Sequence, residues 1–221
     1  ESELLLPDNF FLIPDFLISA PHKIKASAGF DAIAQALESL VSKKSNDKSV
    51  EYASKSLKIS TISFFSFLND PNLKNATEMA IASNLAGKAI SISKTTVPHA
   101  ASYPFTSLFN ISHGHAVSLF FEKFFKFNYD KLNMSETSFD LKKRFDLIFN
   151  LFNVQNINDF NSKITLIKKQ AKLVNDLKTL KIDIKKDSDE IIKGINLLRL
   201  GNNPVKILQK DIYKIMIDEK I

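Results

Sequence analysis

An all-α helical bundle is the fold class this sequence predicts, and three observations carry it. Apolar residues recur at three- and four-residue spacing along most of the chain, glycine occurs only five times in 221 residues, and strand-like alternation is scarce after residue 14. With 44% apolar residues the chain can bury a core, as one large domain or two small ones.

The elements follow in order. LeuLeuLeu at 4–6 and PheLeuIle at 11–13 are short apolar runs broken by Pro7 and Pro14, and they read as extended pieces. After Gly29 the texture becomes periodic: Ala32, Ile33, Ala36, Leu37, Leu40 and Val41 mark a helix with one buried face, with Asp31 and Gln35 on its flank. A second helix runs through Tyr52, Leu57, Ile59, Ile62 and Phe65 and stops near Asn69. Asp70-Pro71 reads as the cap of a third, whose Ala76, Ala80, Ser83 and Gly87 form a small-residue stripe suited to the centre of the domain. Further helical patterns span 116–127, 139–152, 164–177 and 188–198, and the Asn-rich stretch 153–163 reads as a loop. The Phe-rich SLFFEKFFKFNYD has helical spacing and predicts core packing.

Composition excludes several functions. There are no cysteines, so disulfides and thiolate metal sites are ruled out, and a metal would need oxygen and nitrogen ligands. The net charge of +6 comes from 30 basic residues interspersed with 24 acids, which reads as solvated helix faces and predicts no nucleic-acid partner. No apolar run reaches the ~18 residues of a membrane span, and no cleavable signal is visible, so the expectation is a cytoplasmic protein with no membrane partner. The serines at 54–66 form no nucleophile elbow, and the scattered glycines build no phosphate-cradling loop.

The strongest chemical signal lies in two short segments. Asp31 and Gln35 stand four apart in GFDAIAQALES, on one helix face, and His99 and His113 stand 14 apart in PHAASYPFTSLFNISHGH. Imidazoles in such an apolar, small-residue segment need partners if buried, and a metal is one way to supply them. Spacing alone leaves a metal site and ordinary capping or core roles both open.

The wording of the segments adds a resemblance. GFDAIAQALESLVSKKSNDKSVEYA, ATEMAIASNLAGKAISISKTTVPHAASYPFTSLFNISHGHAVSL and RLGNNPVKILQKDIYKI resemble, in order and from about residue 3 to the end, the iron-containing (group III) alcohol dehydrogenases. The resemblance implies the C-terminal helical domain of that family, a dehydroquinate synthase-like bundle, over residues 21–221. Residues 1–20 would then be a connection from a nucleotide-binding α/β domain. It also implies that Asp31, His99 and His113 are metal ligands and that Gln35 occupies the fourth place, where the family usually has His. Gln35 either coordinates directly or holds a metal-bound water. A Gln here looks most like the branch containing phosphonoacetaldehyde reductase, also called hydroxyethylphosphonate dehydrogenase.

The implied activity is a metal-dependent, NAD- or NADP-linked alcohol dehydrogenase or aldehyde reductase. Iron(II) or zinc(II) would sit in this domain and the nucleotide mainly in the other, the substrate would be a small alcohol or aldehyde with or without a phosphonate, and the enzyme would be a homo-oligomer. Tyr103, four residues after His99, either orders a hydrogen bond near the nicotinamide or packs beside Pro104. His115 either relays a proton or lies exposed after the turn. Arg199 and Asn203 in RLGNNP either meet an anionic head group or belong to a helix-ending turn with Gly201 and Pro204, and Lys94 is a comparable candidate. The alternative to an enzyme is a catalytically degenerate relative serving as an interaction or assembly module.

Overall fold

The computed structural model describes Pro7 and residues 9–217. Among these, twelve α-helices follow one another: α1 (Asp15–Ile18), α2 (His22–Val41), α3 (Asp47–Asn69), α4 (Leu73–Ser93), α5 (Val97–Phe109), α6 (His113–Ser118), α7 (Phe121–Asp130), α8 (Leu141–Phe152), α9 (Ile157–Gln170), α10 (Ser188–Lys193), α11 (Leu197–Leu200) and α12 (Gln209–Ile217). Among the described residues there is no strand, only an isolated bridge between Ser135 and Val205. The all-α expectation therefore holds. The apolar run at 4–6 lies outside the described residues, and residues 11–13 have no regular structure before the single turn of α1.

Helix α2 is the central element. It begins at His22, before the periodic stretch that starts after Gly29, and buries 14 of its 20 residues, from Phe30, Ile33, Leu37 and Leu40 on one side to Glu38 and Ser39 on another. Helices α3 and α4 form a long hairpin against it. Asn46 opens α3 with a capping box: its side chain accepts from Ser49 N at 3.0 Å, and Ser49 Oγ accepts from Asn46 N at 3.0 Å. The cap of α4 is Asn72 and not Asp70. Its side-chain oxygen accepts from Lys74 N and Asn75 N, while Pro71 stays outside the helix and holds Asp70 away from helical backbone angles. The expected stripe of α4 is buried only in its first half: Ala76 and Ala80 face inward with Met79, Ala82, Ala86, Ala89 and Ser93, whereas Ser83 is exposed.

A Cβ added to Gly87 would meet no atom within 4 Å. Gly87→Ala is therefore expected to stabilise the protein by about 0.5–1 kcal/mol, through a less disordered unfolded chain and a better helix former. Thermal unfolding should show Tm raised by about 1–4 °C, and a fall would contradict the open space beside α4.

Three expected helices have different bounds. The 116–127 pattern breaks at Leu119–Phe120, because Ser118 O is drawn out of the helical ladder by the buried Lys168 ammonium at 3.0 Å. That ammonium also pairs with Glu122 at 2.7 Å and so ties α9 to α7. The Asn-rich stretch is a loop only to Asn156, whose side chain accepts from Asn158 N and Asp159 N and starts α9. Behind that cap Ile157, Phe160, Ile164 and Ile167 form a buried stripe. The 188–198 pattern divides at Gly194, where a Cβ would stand 2.9 Å from Pro104 Cβ, and Asn196 N donates to Ala100 O at 3.1 Å, fastening the break to α5.

The phenylalanines of α7 are core. Phe121 packs edge-on to Phe30 at 5.8 Å and stacks on Phe125 at 4.5 Å, and Phe125 reaches Phe145 and Phe160. This cluster joins α2, α7, α8 and α9. A second apolar cluster joins α5, α6 and α7 to α10 and α12. Between the two, the N-terminal ends of α5 and α6 meet the flank of α2.

Candidate metal centre

Asp31, Gln35 and Glu38 lie at i, i+4 and i+7 of α2 and so share one face. His99 stands in the first turn of α5, where Pro98 sets the entry, and His113 is the first residue of α6. The two helices are linked by a tight reversal through Asn110, which takes left-handed backbone angles at φ 52°. Gly114 brings α6 onto α2: a Cβ there would lie 2.0 Å from Ser27 O, so only glycine permits the approach. His115 N donates to Ser27 Oγ at 3.2 Å and holds it.

This packing gathers Asp31, His99 and His113, each offering one ligand atom, all within 4.8 Å of one another. Asp31 Oδ1 lies 3.2 Å from His99 Nε2 and 3.8 Å from His113 Nε2. Ligand atoms ~2.1 Å from an ion in a tetrahedral shell stand about 3.4 Å apart, close to these separations. Asp31 Oδ1 and His99 Nε2 are buried and lie within ion-pair distance of each other, and among the described residues neither has a hydrogen-bond partner. Two facing orphaned atoms, one acceptor oxygen and one imidazole nitrogen, fit a divalent cation. Gln35 Nε2 donates to Asp31 Oδ2 at 2.7 Å, which leaves Oδ1 as the oxygen aimed at the histidines.

Behind His99 stands a carboxylate that sequence reasoning missed. Glu38 is fully buried, one of its oxygens is in short contact with His99 Nδ1, and the other accepts from Thr96 N at 2.8 Å and Thr96 Oγ1 at 2.9 Å. Its signal was a single acid inside the apolar run AlaLeuGluSerLeuVal. Burial alone would lower the His99 pKa, but Glu38 at Nδ1 and Asp31 beside Nε2 outweigh it and hold it at about 9. His113 is shifted the other way, below its ordinary value, by burial and by the positive charges of His99 and Arg199 against the pull of Asp31.

A model of the Fe-containing alcohol dehydrogenase family, C-terminal, matches residues 25–219. The chain belongs to this family. Within it, 4-hydroxybutyrate dehydrogenase of Clostridium kluyveri is 29% identical over 123 residues, covering 54% of this chain and 33% of that protein. The 1-propanol dehydrogenase PduQ of Salmonella typhimurium is 33% identical over 129 residues, covering 56% and 34%. A phosphonoacetaldehyde reductase of Streptomyces viridochromogenes is 24% identical over 124 residues, 56% of this chain and 31% of that protein. Sulfoacetaldehyde reductase from Bifidobacterium kashiwanohense, solved in complex with NAD+, superposes with a TM-score of 0.80 at 25% identity, over 92% of this chain and 52% of that one. The chain thus spans about half the solved relative and about a third of the curated ones.

In this member of the Fe-containing alcohol dehydrogenase family, the other nominated residues separate. The Tyr103 ring lies 5.9 Å from His113 and the Arg199 guanidinium 5.7 Å from the Tyr103 ring, so both border the cluster. His115 points away: its Nε2 is 2.7 Å from Val174 O, and burial lowers its pKa, reinforced by Lys23 and Lys168 against that carbonyl. Lys94 has a positive φ of 60° and its ammonium donates to Ser91 O at 2.7 Å. Asn203 is buried, donating to Asn128 Oδ1 and Val205 O at 2.7 Å each, and Asn202 donates to Ser93 O and Thr95 O. Both asparagines fasten the turn after α11 to the core. Among the described residues, no helix is long and apolar enough to cross a membrane.

Proposed function

We propose that this chain is the metal-binding helical part of a metal-dependent, NAD- or NADP-linked alcohol dehydrogenase or aldehyde reductase. The reading rests on one observation above the rest: the orphaned Asp31 Oδ1 and His99 Nε2 face each other beside His113. Asp31, His99 and His113 would hold iron(II) or zinc(II), with Gln35 at the fourth place. A bound divalent ion supplies Lewis acidity at an alcohol or aldehyde oxygen while hydride passes to or from a nicotinamide.

The protein's own groups organise that event. Glu38 accepts a hydrogen bond from His99 Nδ1–H and so leaves Nε2 to present its lone pair to a bound ion. The Gln35 amide restrains Asp31. Tyr103 packs beside His113 and shields one side of the cluster. His115, bound to a carbonyl and aimed elsewhere, is better suited to holding the segment after α9 than to relaying a proton. In this reading residues 21–221 form the metal-binding domain, residues 1–20 lead into it, and the nucleotide is held mainly by the part of the enzyme that its relatives carry beyond the matched region. The phosphonoacetaldehyde reductase among the relatives supports a phosphonate-bearing substrate such as phosphonoacetaldehyde.

The test uses the whole protein. Purified after iron or zinc supplementation, it should carry about one equivalent of metal and oxidise NADH or NADPH when given short aldehydes. The Asp31→Ala, His113→Ala double variant should lose both properties, and full turnover in that variant would sink the reading.

A further inference from the structure

Arg199 is the one guanidinium at the border of the candidate metal centre, and it has no carboxylate partner among the described residues. Asn196 caps the turn that carries it, accepting from Arg199 N at 3.1 Å. Arg199 Nη1 makes a short hydrogen bond to Oγ1 of the fully buried Thr95. The guanidinium plane lies 5.7 Å from the Tyr103 ring, whose other neighbour, at 5.9 Å, is the imidazole of His113. A half-buried arginine is thus locked in place by a hydroxyl and an aromatic ring, with one N–H engaged and the rest of its fork available among the described residues.

Structural duty accounts for the other polar letters of this corner. Asn202 and Asn203 are spent on backbone carbonyls and on Asn128. A guanidinium fixed within two side-chain contacts of the ligand cluster, and uncompensated by any acid among the described residues, is suited to receive an oxyanion.

We propose that Arg199 anchors the anionic head group of the substrate. The enzyme would then act on a short alcohol or aldehyde whose reacting carbon lies a few bonds from a carboxylate, sulfonate or phosphonate. The inference rests on the dehydrogenase reading above, and it narrows the substrate class by its charge.

The test compares, in the whole protein, kcat/KM for phosphonoacetaldehyde and succinate semialdehyde with that for propanal, and measures binding of ethylphosphonate to the metal-free protein by calorimetry. The native protein should prefer the anionic aldehydes and bind ethylphosphonate. Arg199→Met should reduce the anionic-to-neutral ratio about 10- to 100-fold, the worth of one charge-assisted pair, and should abolish ethylphosphonate binding. Arg199→Lys, which keeps the charge without the fork, should lose less of the ratio. Equal turnover of all three aldehydes by the native protein overturns the inference, as does a preference that survives Arg199→Met. Absence of turnover with every aldehyde defeats the dehydrogenase reading instead. In that event the calorimetry still decides, since failure of the native protein to bind ethylphosphonate removes the anchor.

Discussion

Gly114→Ala is expected to cost about 3 kcal/mol or more and to weaken metal binding together with it. The added methyl would stand 2.0 Å from Ser27 O and 2.8 Å from Asp31 Cβ. The first of these is backbone in the second turn of α2 and cannot swing aside, so α6 must retreat, and overpacking of a filled core costs roughly 1–3 kcal/mol even where flexible side chains absorb it. Gly29 is the instructive contrast. A methyl there would press on the Phe64 ring at 2.3 Å, a side chain, and leave Asp31 alone. Retreat of α6 carries His113 away from Asp31 Oδ1 and strains the His115 N bond to Ser27. Calorimetry should show Tm lowered by about 6–12 °C, and metal titration of the surviving folded protein should show weaker affinity. A Tm within two degrees of the native value would mean that α6 does not rest on α2 as described.

The helical period was legible because it reports a property shared by every turn: one face is buried. The breaks were not, since each depends on a partner far away in sequence. Nothing in ValSerLeuPhePhe announces a kink at Leu119–Phe120, and the cause, an ammonium from Lys168 on Ser118 O, lies 50 residues on. The start of α9 was local and still obscured. Asn-rich composition suggested a loop, although Asn156 is a good cap and Ile157, Phe160 and Ile164 already showed the stripe. The α4 cap was mistaken because Asp-Pro is a familiar opening, whereas the reciprocal bonds between Asn72 and Asn75 are closed only by the backbone geometry.

The candidate site divides along a similar line. Asp31, His99 and His113 were nominated by residue type, spacing and resemblance, and packing through Gly114 gathers all three. Glu38 was overlooked because an acid in a helix usually points to solvent, and only the fold shows that α5 begins against it. His115, read as a proton relay or as an exposed residue after the turn, is instead buried, because a helical step of two residues from His113 turns its ring toward Val174.

Glu38→Gln is expected to separate stability from metal affinity. The carboxamide oxygen can still accept from Thr96 N and Thr96 Oγ1, so the loss in stability should stay near 1–2 kcal/mol, the scale of one weakened buried bond. Its NH2, placed where Glu38 Oε2 meets His99 Nδ1, would donate to the ring instead of accepting from it. His99 must then carry its proton on Nε2, the atom proposed to bind the metal. Removing such an orienting partner typically weakens metal binding 10- to 100-fold. Glu38→Ala should do worse on both counts, costing about 3–5 kcal/mol by leaving the Thr96 and His99 donors buried without an acceptor. The proton balance gives an independent check. In the metal-free protein His99 keeps its extra proton up to about pH 9, so below that pH metal binding should release it, and affinity should rise about tenfold per pH unit toward pH 9. In Glu38→Gln one of the two acids that raise this pKa is gone and only Asp31 remains, so the slope should flatten at the upper end of that range. Metal affinity and pH slope both unchanged in Glu38→Gln would show that Glu38 supports the packing of α5 on α2 and has no part in presenting His99.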